Sequence, residues 1–135
     1  MSEIPVGAKG SFNLVVAPEH LANRFKDALL PPVLATPIMI LAMENAALNA
    51  IRSYFGPGES AVGTAIDIRH IAATPVGQRM SAEAEVTEVD GRRIVFAVIA
   101  RDEVEEIGRG THERMVVSLA RLKQRLDAKG SRHCP

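Results

Sequence analysis

Two titratable side chains sit inside apolar patterns. Glu44 lies in a helical run, TPIMILAMENAALNAIRSYF. Its offsets give it the same face as Ile40, Leu41, Ala47, Leu48 and Ile51. A carboxylate on such a face loses hydration, at a cost on the order of several kcal/mol unless it is paired or protonated. That position suits a general base or a nucleophile; a buried structural ion pair, or a helix bent toward water here, is the alternative. His70 alternates in step with Val62, Thr64, Ile66, Ile68 and Ala72, which places it on the apolar face of a strand. A lone core histidine needs only one hydrogen bond, but the helix bearing Glu44 must pack on this same sheet. Glu44 and His70 are therefore expected as partners, and Glu–His is the smallest acid–base unit for hydrolysis near neutral pH.

Three further residues extend the set. Thr36 precedes Pro37 and reads as a helix N-cap, with its hydroxyl beside amides able to stabilise an oxyanion. Eight helical residues separate it from Glu44 by about 12 Å, so direct contact needs a later helix start or a second subunit. Gly63, inside a strand, signals a bulge or close approach of a ligand to the backbone. Arg114 shares a side with His112 and Val116, opposite Arg109, and is expected to be partly buried and paired with Glu44 or Glu113. No ligand spacing supports a metal site from Glu44, His70 and His112. Cys134, one residue from the end, makes a poor nucleophile.

The elements that must position these residues follow from a change of period. Residues 10–17 read as a short strand ending at Pro18, and Leu30-Pro31-Pro32 interrupts regular structure after a short helix. The long helix starting at Thr36-Pro37 is apolar nearly all round and stops before Gly56-Pro57-Gly58; its alanines permit close approach. Period 2 then predicts strands over 61–74, 79–89, 93–101 and 107–119. Met80, Ala82, Ala84 and Val86 point inward, and Asp90-Gly91 makes a two-residue hairpin. Residues 102–106 reverse the chain again. The expected fold is α+β: an antiparallel sheet wrapped round one long central helix, with a free face or edge meeting a second subunit.

Composition removes whole classes. The 135 residues read as one domain, with 121–135 a polar, frayed helical tail. Lys plus Arg and Asp plus Glu are 16 each, without the positive footprint of a nucleic-acid binder. At 47% hydrophobic and 24% charged, the chain has the composition of a folded domain. One cysteine and no apolar run near 18 residues point to a cytoplasmic protein without a membrane span. GxSxG, HExxH, paired CxxC and Gly-rich phosphate motifs are missing. The zero charge is a cancellation: acids gather at 83–90 and 102–106, while Arg121, Lys123, Arg125, Lys129 and Arg132 crowd the tail.

VLATPIMILAMENAA, AVGTAIDIRHIAATPVG, VDGRR and DEVEEIGRGTHERMVV together resemble the hot-dog-fold thioesterases of the fluoroacetyl-CoA thioesterase-like family, over about residues 5 to 120. The resemblance implies an acyl-CoA thioesterase without cofactor, working as a homodimer with its sites at the subunit interface. It implies catalytic roles for Thr36, Glu44 and His70, a backbone position at Gly63 near the thioester, and a supporting role for Arg114. The basic tail would then face the phosphates of coenzyme A. One departure stands out. The fluoroacetyl specialist resembles an aromatic-gated version, with Phe before the helix, whereas this loop reads LLPPVLAT, with Leu30 and Leu34 as acyl-contacting candidates. A short or branched acyl group is the expected substrate. A hot-dog dehydratase or isomerase and a non-catalytic acyl-CoA-binding domain are the competing readings.

Overall fold

The structure, a computed structural model, describes residues 1–133; the reading of Cys134 lies outside the described residues. Strand β1 (Lys9–Val15) leads through a one-turn helix α1 (Ala22–Phe25) to the long helix α2 (Thr36–Ile51). Strands β2 (Glu59–His70), β3 (Arg79–Asp90), β4 (Arg93–Arg101) and β5 (Glu106–Ser118) follow, and α3 (Leu119–His133) ends the chain. One antiparallel sheet has the order β1-β3-β4-β5-β2, so β2 and β1 are its edges. α2 packs across β1, β3 and β4, and leaves the β5–β2 end of the inner face less covered.

The expected architecture is present, and its local causes are visible. Met80, Ala82, Ala84 and Val86 are all buried, as alternation requires. Asp90 pairs with Arg93 across a two-residue loop, where Gly91 takes the positive φ of 61° that such turns demand. Residues 71–74 leave the sheet, ending the strand expected over 61–74 at His70. There Leu34 donates its amide to the carbonyl of Thr74, and Val33 bridges Pro75. That pairing pins the Pro31-Pro32 segment beside the end of β2.

The alanines of α2 do what small residues allow. A Cβ on Gly10 would overlap the carbonyl oxygen of Ala46 and the amide nitrogen of Ala50, so helix and strand meet backbone to backbone. Gly10→Ala gains at most about 1 kcal/mol from the unfolded chain. Overpacking against rigid backbone costs about 1–3 kcal/mol, and it wins. The expected outcome is a melting temperature lower by about 5–10 °C in a thermal scan; a variant melting with wild type contradicts this packing.

Two expectations need correction. α2 is apolar nearly all round, as read, but it is not buried all round: its buried residues are Met39, Ala42, Met43, Ala46, Ala47, Ala50 and Ile51, while Leu41 is 46% exposed. Ala35 is the N-cap, and Thr36 and Pro37 are the first helical residues, which frees the Thr36 hydroxyl from capping. The tail is helical as read, over 15 residues, and Arg121, Lys123, Arg125 and Lys129 are exposed along it; the side chain of Arg132 lies outside those described. Among the described residues no helix is long and apolar enough to cross a membrane.

Candidate functional site

A bulge in β2 decides which residues face inward. The β2–β5 register runs Ala61↔Val116 and Gly63↔Arg114, slips between Gly63 and Ala65, and resumes with Ala65↔Glu113, continuing through Ile66↔His112 to His70↔Gly108. Two residues of β2 therefore oppose one of β5, and the alternation inverts. His70 shares its face with Ile66 and Ile68 as expected. Val62 and Thr64 belong to the opposite face, where Thr64 donates its hydroxyl to Glu113 at 2.6 Å. Gly63 stays inward because the bulge falls just after it.

The first half of the site lies at the start of α2. Thr36 Oγ1 and His70 Nδ1 are 2.8 Å apart. They stand over an open cleft of about 360 Å³ walled by Leu30, Leu34, Ile71 and the Lys26 stem. Leu34 is buried and Leu30 is 42% exposed, so the cleft has a fixed floor and an accessible lip. His70 Nε2 is buried without a hydrogen-bond partner. Burial pushes the His70 imidazole below the ordinary histidine range, partly opposed by the backbone of Ala72. At neutral pH the ring is uncharged and available as a base.

The second half lies two turns further along α2. Glu44 is 38% exposed on its side chain rather than buried, and its oxygen Oε2 lies 3.9 Å from Arg114 Nη1. A Cβ on Gly63 would come within 3.1 Å of that oxygen, so a side chain there would press the carboxylate aside by a few tenths of an ångström. Arg114 is 8% exposed and donates through Nη2 to the carbonyl of Ala61 at 2.7 Å. The expected pairing of Arg114 with Glu44 is present. Glu113 instead takes Arg93 on the other face.

The direct Glu44–His70 partnership does not occur within the chain. No hydrogen bond or ion pair joins them among the described residues; His70 meets Thr36, and Glu44 meets Arg114. The reason is helical geometry, since Thr36 and Glu44 are separated by eight residues of unbroken helix. One residue lacked an assigned role. His112, 2% exposed, sits between Arg114 and the bulge. Its shared side with Arg114 and Val116 on β5 was the available signal.

Histidine burial has a measurable consequence. Burial also lowers His112, opposed by the Ala65 carbonyl and reinforced by Arg114. Both folded-state values lie below the unfolded value of about 6.5. Above that pH neither state binds the protons, and the stability is fully present. As pH falls through it, the unfolded chain protonates first and stability is lost down to the folded values. The expected outcome is a melting temperature that declines from about pH 6.5 toward pH 5, before the carboxylates titrate. A melting curve flat across that window contradicts neutral buried imidazoles.

This geometry can be set beside known proteins. A family model described as fluoroacetyl-CoA-specific thioesterase matches residues 16–120. The chain belongs to that family. The fluoroacetyl-CoA thioesterase of Streptantibioticus cattleyicolor is 40% identical over 129 residues, 92% of this chain and 93% of its own. A solved structure of the fluoroacetyl-CoA thioesterase FlK superposes with a TM-score of 0.87 at 37% identity, covering 99% of this chain and 100% of that one. A hot-dog-like protein from Thermanaerovibrio acidaminovorans, 23% identical, has a TM-score of 0.84 over 93% of each chain and shares the fold. This member of the fluoroacetyl-CoA-specific thioesterase family is thus a thioester hydrolase with the hot-dog fold, its α2 lying along the inner face of the sheet.

Proposed function

We propose that the chain hydrolyses a short or branched acyl-CoA to the free acid and coenzyme A, using Glu44, His70 and Thr36. The observation that carries the roles is the Thr36–His70 hydrogen bond over an aliphatic cleft at the first turn of α2. The acyl group enters between Leu30 and Leu34. The amide of Gly63 polarises the thioester carbonyl. Glu44 acts as base or nucleophile at that carbonyl, held by Arg114. In the base route, water oxygen bonds to the carbonyl carbon and Glu44 accepts its proton. The C–S bond then breaks, and the coenzyme A sulfur leaves with a proton passed through His70. Thr36 positions the ring and the water. Such a substrate sets the reaction in the cytoplasm, which the single cysteine also suits.

The two halves meet between subunits. β2 is a 12-residue edge strand, with Val62 37% and Ile66 43% exposed and Leu41 of α2 also exposed. A long apolar edge is a template for pairing with a second copy. Antiparallel self-pairing of β2 centred on Asp67 sets His70 of one protomer across from Gly63 of the other, because the bulge after Gly63 skips one residue. Glu44 of each protomer would then complete the Thr36–His70 pair of its partner.

A thiol-release screen over acetyl-, propionyl-, isobutyryl- and fluoroacetyl-CoA tests the reading. Turnover of the small and branched chains is expected, with no privilege for the fluoroacetyl group. That follows from the aliphatic lining at Leu30 and Leu34, where an aromatic gate would be needed. Saturable coenzyme A binding without thiol release on any substrate would replace this reading with a binding domain. Water loss or double-bond movement would replace it with a dehydratase or isomerase.

A further inference from the structure

The mechanism above leaves one buried titratable group without work, and its surroundings define its state. His112 Nδ1 lies 2.8 Å from the carbonyl oxygen of Ala65. A carbonyl only accepts, so Nδ1 carries the hydrogen. Nε2 is therefore a lone pair, and it receives Arg114 Nη1 at 3.2 Å. That same Nη1 is the atom facing Glu44. The ring is clamped by Phe96, stacked with centroids 5.9 Å apart and planes at 25°. Ala65 is where the register of β2 resumes after the bulge, so the imidazole links the bulge to the guanidinium.

Resting on the functional reading above, we propose that His112 is a positioning residue: as the Nδ1–H tautomer it orients Arg114 Nη1 toward Glu44 and keeps the carboxylate over Gly63. Two charged groups share its face, Glu44 from α2 and Arg114 from β5, while Glu113, on the opposite face of β5, acts on it only through space. β2 supplies a carbonyl and β4 the Phe96 ring. Burial, the largest influence, keeps the ring neutral, in agreement with this role. Protonation would turn an N–H toward the guanidinium and remove its acceptor.

The test combines kinetics with spectroscopy. H112F keeps the ring on Phe96 but removes donor and acceptor; H112Q can present its side-chain oxygen to Arg114. H112F is expected to lower kcat about ten- to hundredfold with KM within threefold, and H112Q to recover most of that loss. The wild-type imidazole should show the Nδ1–H tautomer in long-range proton–nitrogen spectra between pH 6 and 8. A merely structural role predicts a lower melting temperature with kcat intact in folded enzyme, or equal losses in H112F and H112Q; either result overturns the proposal. So does an Nε2–H tautomer, whatever the activity. A wild type that releases no thiol fails the functional reading itself, whereas an active wild type with a wild-type kcat in H112F fails only this one.

Discussion

Replacing Glu44 by glutamine is expected to lower kcat for thiol release by about 10²–10⁴-fold, with KM changed only a few-fold. The substitution keeps shape and hydrogen-bonding capacity and removes the ability to take a proton or attack a carbonyl. The side chain is partly exposed, so the change buries no new polar group. Arg114 keeps its bonds to the Ala61 carbonyl and to His112, so it is not left without partners. The fold should therefore be preserved, and a melting curve close to wild type is the control. If purified E44Q turned over a small acyl-CoA at the wild-type rate, Glu44 would have no chemical role. A loss confined to KM would make it a binding residue.

The second large effect is a recovery. E44Q and H70A are each expected to be nearly inactive alone. Mixed under conditions that exchange subunits, they should regain about a quarter of wild-type activity. Random mixing makes half of the dimers heterodimers. In each of these, one of two sites receives an intact Glu44 from one chain and an intact His70 from the other. The expectation follows from the separation of Thr36–His70 and Glu44–Arg114 along α2. A site complete within one chain regains nothing on mixing, and that result would remove the intersubunit arrangement. Ile66→Glu, which charges the exposed edge of β2, provides the companion measurement: it should convert the dimer to monomer by light scattering and abolish activity together.

How far the sequence could be read depends on the kind of signal at each residue. The hairpin signal at Asp90-Gly91 and the inward row from Met80 to Val86 are local patterns; the structure has both, with the two-residue loop one residue later, at Gly91 and Arg92. Gly63 was readable as a bulge or as close approach of a ligand; the bulge falls just after it, and the group that comes close within the chain is the Glu44 carboxylate. The alternation grouping His70 with Val62 and Thr64 failed because a bulge adds a residue without changing composition; period 2 cannot see the inversion. Glu44 was expected to be buried because helical offsets report which residues share a face, not which neighbour covers it. Within one chain the β5–β2 end of the inner face, where Glu44 meets Arg114, is the less covered end. His112 was visible as a neighbour of Arg114, but its surroundings were not, since they depend on Ala65, Arg114 and Phe96, which three strands bring together.

The backbone seam between Gly10 and the Ala46–Ala50 stretch also has a bearing on how such enzymes diverge. A helix locked to its sheet without side-chain cushioning cannot slide to suit a larger substrate. Thr36 and Glu44 ride on that helix, so the groups to which the proposed function gives the chemistry are carried by an element seated directly on the sheet. The opposite wall is built differently: Leu30 and Leu34 flank Pro31-Pro32, tied to the body through the pairings of Val33 and Leu34 with Pro75 and Thr74. Substitutions there can change the width of the cleft while the reacting groups stay still. In the function proposed above, selectivity and reactivity fall to separate elements, the Leu30–Leu34 segment and α2.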